Sequence, residues 1–516
     1  MAQLDPYSGQ WTQRHAAHLL RRTTFGYTPT QLAEAVSAGL ASTLSSLLAS
    51  LPAPAKPVNP TNGTDFIDAP YTGLQNGLYT NYVRAWWAEQ VLTTGPNIRE
   101  KMVLFWLNHF AIEFVAVQQY QFCYRYLEHM RANSLGNFKD LARWVTLSPA
   151  MLRYLNGNSN TAGNPNENFA RELQELFTIG KGPELSSGNY TNYTEDDVRE
   201  AARVLTGWRD NRVTGVVTFQ TRQHDAGDKK FSAAYGNRVI RGRNTPQAGN
   251  EELDELLDMI FTPQATERYL VRKLYRWFVD ATINAAVERD VIEPLGALLR
   301  TSNWNVRPVI ETLLRSKHFF DAELVGSQIK SPADFYFGLL RSVPSLAIPA
   351  ERAQRYQFFQ TINTGMNGMQ MALGEPPSVA GYDAYHQQPD FDRLWINTAT
   401  LPQRNGITDL FVRGQRNRAG LFDSITFVSG LPNASDPYAM IDEINKRLFA
   451  LPFPEAIRLN LLENVLQGGS APVYEWTQEW ETFISTPNDQ QLRTRIKAKL
   501  DNLFVYLFRM AEFQIV

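Results

Sequence analysis

No other segment limits the architecture as strongly as Met102–Val117, the most apolar stretch of the chain. Asn108, His109 and Glu113 interrupt it. A bilayer-spanning helix needs about 20 consecutive, predominantly apolar residues, so the stretch reads as a helix buried in a protein core and no membrane span is expected. Its face of Met102, Phe105, Trp106 and Phe110 is too apolar for a surface helix and places it centrally. An amide and an imidazole held there each cost a few kcal/mol unless partnered. The surrounding structure must therefore supply hydrogen bonds to Asn108 and His109.

Composition supports a large core and narrows the chemistry. Of 516 residues, 43% are hydrophobic and 12% aromatic, enough to bury an extensive apolar interior. Lys plus Arg number 50 against 52 Asp plus Glu, a formal charge of -2. Capture of nucleic acid or of an anionic membrane surface requires a surplus of clustered cations, so neither partner is expected. Cys123 is the single cysteine, which excludes intrachain disulfides, thiolate zinc sites and Cys-x-x-Cys redox chemistry. Met1–Thr12 has neither the basic start nor the apolar block of a secretory leader. The chain as it stands reads as cytoplasmic, and as periplasmic or extracellular if a leader has been removed.

Helical periodicity runs through most of the sequence. Helices are expected over Thr12–Thr23, from Thr28 onward, and over Tyr79–Leu92, Asn97–Phe110, Gln119–Arg131, Phe138–Leu147, Pro149–Leu155, Glu167–Ile179 and Glu195–Trp208. Thr28-Pro29-Thr30-Gln31 has the form of a capping box with proline at the first helical position, and Thr194 is placed to cap the helix after it. Further helices are expected over Glu251–Phe261, Pro263–Phe278, Ala285–Leu299, Arg307–Arg315 and Leu492–Met510. Pro52–Gly73 and Asn363–Asp392 read as long loops. Val213–Phe219 and Asn237–Ile240 are β-prone and flank a polar loop, as in a small hairpin. The fold expected is all-α, a large multi-helix body with a small β-hairpin near 213–240. It divides into an N-terminal helical region (1–210), a hairpin insertion (211–248), a middle helical region (249–345) and a C-terminal helical region with long loops (346–516), all within one fused body.

Standard catalytic signatures are missing. The sequence has no Gly-x-Ser-x-Gly elbow, P-loop, dinucleotide fingerprint or His-Glu-x-x-His helix. The densest polar pattern is Asn166–Leu176. Glu167, Arg171 and Glu175 follow one another at four-residue steps, the spacing of a solvated ion-pair ladder. Asn168 and Glu172 form a second strip, with Glu175 one turn beyond Glu172. Two carboxylates three residues apart can hold one hard cation, share a proton or pair with an arginine such as Arg199 or Arg203. His224-Asp225 sits in the polar loop between the β-prone stretches, where it can serve a site or simply set a turn. For Asn108 and His109 the simpler reading is a hydrogen bond to nearby backbone, and the functional one a metal ligand or proton shuttle.

These motifs together resemble a large bacterial family catalogued as the domain of unknown function numbered 1800. The resemblance is carried by His18-Leu-Leu-Arg-Arg22 with Phe25-Gly26, by Phe105-Trp-Leu-Asn-His109-Phe110, and by Pro165 through Leu176. Tyr193–Val198, Leu205-Thr-Gly-Trp208 and His224-Asp225 add to it. Downstream it extends to Lys330-Ser-Pro332, Pro376-Pro377 with Gly381, Trp395 through Leu401 with Arg404, and Glu512-Phe513-Gln514, so it covers almost the whole chain.

The resemblance implies a largely helical fold and no settled activity. It also implies a sulfatase-like companion protein and, in many members, twin-arginine export, whose leader this chain lacks. A frequent variant of the glutamate helix carries histidine where this chain has Phe177. By analogy, Asn108, His109, Asn168, Arg171, Glu172, Glu175, His224 and Asp225 belong to one polar centre.

Two readings of that centre follow. In the one favoured, Asn108, Asn168, Glu167 and Arg171 are a structural polar network in a scaffold that binds a partner protein or a polysaccharide. In the other, His109, Glu172, His224 and Asp225 hold one divalent metal ion for hydrolysis, with Glu175 as general base and Arg171 beside it. A third possibility is a non-haem metal redox centre, which the ligand types allow.

Overall fold

Helix starts are found where the caps predict them. In the computed structural model, which describes residues 2–343, 346–414, 420–469 and 471–516, the Thr28 hydroxyl accepts the Gln31 amide at 3.2 Å. The Gln31 side chain accepts the Thr28 amide at 2.9 Å, completing the box that opens Pro29–Leu47. Thr194 and Asp197 close an equivalent box at the start of Glu195–Val204, with N···O distances of 2.8 and 3.3 Å. Each satisfies backbone donors that the first turn of a helix leaves unpaired.

The fold is predominantly helical, with three small antiparallel hairpins among the described residues. Among the described residues no helix is long and apolar enough to cross a membrane. Arg99–His109 is buried along its whole length, polar residues included, and packs on Tyr120–Ala132. Buried apolar side chains from Ala16 to Phe513 make one contiguous cluster around it. Elements far apart in sequence meet across this core: Asn76–Thr93 packs on Arg352–Gly368, and Thr400–Arg413 on Gln490–Arg509.

Four expectations need correction. The β-prone stretches around 213–240 do not pair with each other. Val217–Phe219 pairs with Trp208–Asp210, and Val239–Ile240 with Lys229–Lys230, while Glu184–Ser186 and Asn189–Tyr190 form a third hairpin. The helix expected to reach Trp208 ends at Val204, because Gly207 adopts φ +94° and turns the chain out. Trp208 then opens a strand, and the strand nearest in sequence closes on it at the smaller loop entropy. Arg352–Gly368 is helical into the start of the loop expected from Asn363. Finally, Glu167–Ile179 is not one α-helix: the α-form ends at Glu172 and Leu173–Thr178 widens into a π-helix.

Candidate functional site

The π-helix positions the site. A helix leaves its last carbonyls without intrahelical donors, and here they are met by side chains from two other helices. The Leu176 carbonyl accepts the Tyr269 hydroxyl at 2.8 Å and the Lys273 ammonium at 3.0 Å. The Phe177 carbonyl accepts His109 Nε2 at 2.9 Å. That bond fixes the imidazole tautomer, since an Nε2 that donates leaves the lone pair on Nδ1. Burial, and secondarily the nearby Lys273, push the His109 pKa well below its ordinary value, so the ring is neutral. Nδ1 is buried and has no partner among the described residues.

His109 and Lys273 line a cleft formed by Gln13–Thr23, Arg99–His109, Gln264–Phe278, the segment around Ser331 and the loop from Ala380 to Trp395. The loop is anchored on the central helix: the Asn108 side-chain oxygen accepts the Tyr382 amide at 2.8 Å. Gly381, at φ +96°, lets the backbone come that close, since a Cβ there would lie 2.4 Å from the Asn108 amide oxygen. About 40 Å³ of the cleft is open to water-sized molecules, room for about three waters at 10–15 Å³ each.

The electrostatics of the cleft are unbalanced. Arg21, Arg22, Lys101, Lys273 and Arg276 line it, against the side-chain carboxylates of Asp334 and Asp392, with Asp280 close enough to act on Arg22. Asp334 is taken by Lys101 at 2.5 Å and by the Ser331 hydroxyl at 2.7 Å. Asp392 accepts the Ile329 amide at 2.6 Å, and burial pushes its pKa up. Arg22, 1% exposed, gives one nitrogen to the Leu324 carbonyl and the Ser327 hydroxyl, while Nε and its other terminal nitrogen have no partner. Arg276 reaches only the Ala281 carbonyl at 3.3 Å and lies over the Phe391 ring. Among the described residues, Arg21, Arg22, Lys273 and Arg276 make no ion pair; the ion pairs of this region belong to Lys101 and to Arg272.

Burial lowers the Lys273 pKa to about 7, helped by Arg276, and the Arg22 pKa to about 10. The indole N–H groups of Trp277 and Trp395, on the same walls, are buried donors without partners. Buried polar groups are almost always satisfied by protein or water, and among the described residues these donors have no protein partner.

The residues singled out from sequence do not form one cluster. Asn108 and His109 belong to the cleft. Across the π-helix, Glu175 pairs with Lys181 at 2.6 Å and accepts the Tyr193 hydroxyl at 3.1 Å. Glu172 stands next to it with no ion-pair partner among the described residues. Burial, and then the Glu175 charge, push its pKa up to about 7. Arg171 turns away to Glu195 at 2.6 Å and Glu167 at 3.2 Å, so the expected ladder to Glu175 is not made. Asn168 gives its backbone amide to the Asn166 cap.

His224 and Asp225 lie in a third group. His224 Nε2 is 3.2 Å from Glu252, which also takes Lys229 at 2.5 Å, and Asp225 is gripped by Arg203 at 2.8 and 3.0 Å. No three His, Cys, Asp or Glu side chains among the described residues stand where they could share a metal ion. Among the described residues, His109, Glu172, His224 and Asp225 are therefore not assembled as a ligand set for a divalent metal.

Sequence reasoning missed Lys273, Arg276, Trp277, Asp334, Asp392 and Glu252. A weak trace was present, because Tyr269, Lys273, Arg276 and Trp277 fall at helical spacing on one face.

Fold and site together define a mainly helical protein whose core opens into a narrow, cation-rich cleft. The stretches that meet there, around Arg22, His109, Ser331 and Trp395, are those that carry the family resemblance. The chain belongs to the family described as "Protein of unknown function (DUF1800)", which matches residues 18–515. No curated protein and no solved structure matches it.

Proposed function

We propose that this is a binding protein for an acidic ligand, and that the cleft seats one carboxylate, sulfate or phosphate group of it. The observation that carries the reading is the set of buried donors without a protein partner, two nitrogens of Arg22 and the indole N–H groups of Trp277 and Trp395, beside Lys273 and Arg276, which make no ion pair among the described residues. Burying an uncompensated cation costs several kcal/mol, and an anion arriving in the cleft recovers that cost. The small open volume suits a single acidic group at the end of a larger molecule. Among the partners considered from sequence, an acidic polysaccharide fits this chemistry. A sulfatase-like companion protein is not required by it, and the metal-dependent hydrolase and redox readings lack a ligand set among the described residues.

The test is differential scanning calorimetry with sodium sulfate, and with dextran sulfate against neutral dextran, at matched ionic strength. The sulfated species should raise the melting temperature of the wild type well beyond chloride or dextran. An Arg276→Ala variant that keeps its helical circular dichroism should lose that increment. Equal shifts with sulfate and chloride, or the same increment in the variant, would remove the basis for the proposal.

A further inference from the structure

Resting on that reading, we infer that the cleft binds 2-oxo acids covalently and reversibly, through a Schiff base between the ligand's keto carbon and Lys273 Nζ. The argument starts from what faces the lysine. Its ammonium touches the Leu176 carbonyl at 3.0 Å and lies over the Tyr269 ring at 4.9 Å, and no carboxylate pairs with it among the described residues. A lysine held by a carboxylate is locked as the ammonium, whereas this one is free to lose its proton and become a nucleophile. Its pKa, lowered to about 7 by burial and by Arg276, agrees with that geometry.

The same cleft supplies groups for the acid. Arg276, one turn further along the same helix, and Arg22 offer guanidinium groups for the acid adjacent to the keto carbon. An isolated aldehyde would use only the lysine; a carbonyl carbon bonded directly to a carboxylate uses both the lysine and the arginines.

The step balances without an oxidant or reductant. The Nζ lone pair forms the new C–N bond while the carbonyl π pair moves to oxygen. A proton passes from nitrogen to that oxygen, giving the carbinolamine. The hydroxyl then leaves as water, and the nitrogen gives up its second proton as the C=N bond forms. The proton that the Lys273 ammonium sheds before attack passes to solvent, and the two protons left on nitrogen end on the departing water.

The experiment incubates the full chain with pyruvate and sodium cyanoborohydride at neutral pH, followed by peptide mapping. Lys273 should be alkylated well ahead of the exposed Lys230 in the same molecule, a comparison that does not depend on any variant folding. Lys273→Arg should lose that adduct, and lactate, which has the acid but no keto group, should compete with pyruvate. Modification of Lys273 no faster than of Lys230 would overturn the inference. So would equal trapping of acetone, which lacks the acid. If lactate and sulfate still raise the melting temperature while no adduct forms, the covalent step falls and anion binding stands. If neither stabilises the protein and no adduct forms, both fall.

Discussion

Around Glu252, a lysine and a histidine converge on one carboxylate, and none of the three side chains has exposed area. Arg203 closes on Asp225 just outside them. In the cleft, Arg21, Arg22, Lys273 and Arg276 share a wall with Asp392, whose own pKa burial raises. Both groups are desolvated and both sit in the same helical body. One is arranged so that each charge has an opposite neighbour, and the other is not. Desolvation costs several kcal/mol per ion in either place, so only the matched group can return it within the folded protein. The unmatched group persists at a cost to stability, which is the pattern of sites kept for a ligand.

The largest effect expected from this contrast is at Glu252. Glu252→Ala leaves the Lys229 ammonium buried without its counter-charge, and breaking such a pair from one side costs about 3–5 kcal/mol. Urea unfolding should show a correspondingly lower midpoint at unchanged slope, with no change in the stabilisation given by sulfate. A loss below about 1 kcal/mol would show that the cluster is not the matched structural element described.

The opposite sign is expected in the cleft. Lys273→Met removes an uncompensated cation and one hydrogen bond to the Leu176 carbonyl, which keeps the Tyr269 hydroxyl. The variant should be as stable as the wild type or more so at pH 6, by up to roughly 1–3 kcal/mol, while losing its response to anions.

The pH dependence fixes the sign independently. The folded pKa is lowered from 10.5 to about 7, so between those values the unfolded chain binds more protons than the folded one. Wild-type stability therefore rises with pH across that window relative to Lys273→Met, at no more than about 1.4 kcal/mol per pH unit. Arg21, Arg22, Lys101, Arg276, Asp334, Asp392, His109 and His386 also face the cleft, but they are common to both proteins and largely cancel in the difference. A flat or falling difference between pH 7 and 10 would break the comparison.

The sequence revealed the helices and half of the cleft. Periodicity and caps located Arg99–His109 as the central helix because a run such as Phe105 through Phe110 has only one environment that suits it. The requirement that Asn108 and His109 find partners was also legible, and both do: backbone groups at Tyr382 and Phe177. Which partners was not legible, because they come from the loop after Ala380 and from a π-turn that helix propensity does not announce. Lys273 and Arg276 were not singled out, since a sequence shows a charge but not the missing carboxylate opposite it. His224-Asp225 misled for the converse reason. Its partners, Glu252 and Arg203, lie on helices on either side of it in sequence, and only folding brings them into contact.

The smallest effect is expected where the sequence pattern was densest. Arg171, 32% exposed in its side chain, pairs with Glu195 at 35% and Glu167 at 39%. Its hydrogen bond to Glu195 raises its pKa, yet water screens a pair that open. Exposed pairs contribute about 0–1 kcal/mol and weaken as salt is added. Arg171→Ala should therefore lower the urea midpoint only slightly, with the difference shrinking in 0.5 M salt on the order of the shorter screening length. Anion stabilisation in the cleft should be untouched, because Arg171 faces Glu195 and the cleft lies beyond the π-helix. A loss above roughly 2 kcal/mol that salt does not diminish, or any loss of the anion response, would instead join the glutamate helix to the cleft as one electrostatic unit, and the division between matched and unmatched charges would have to be redrawn around it.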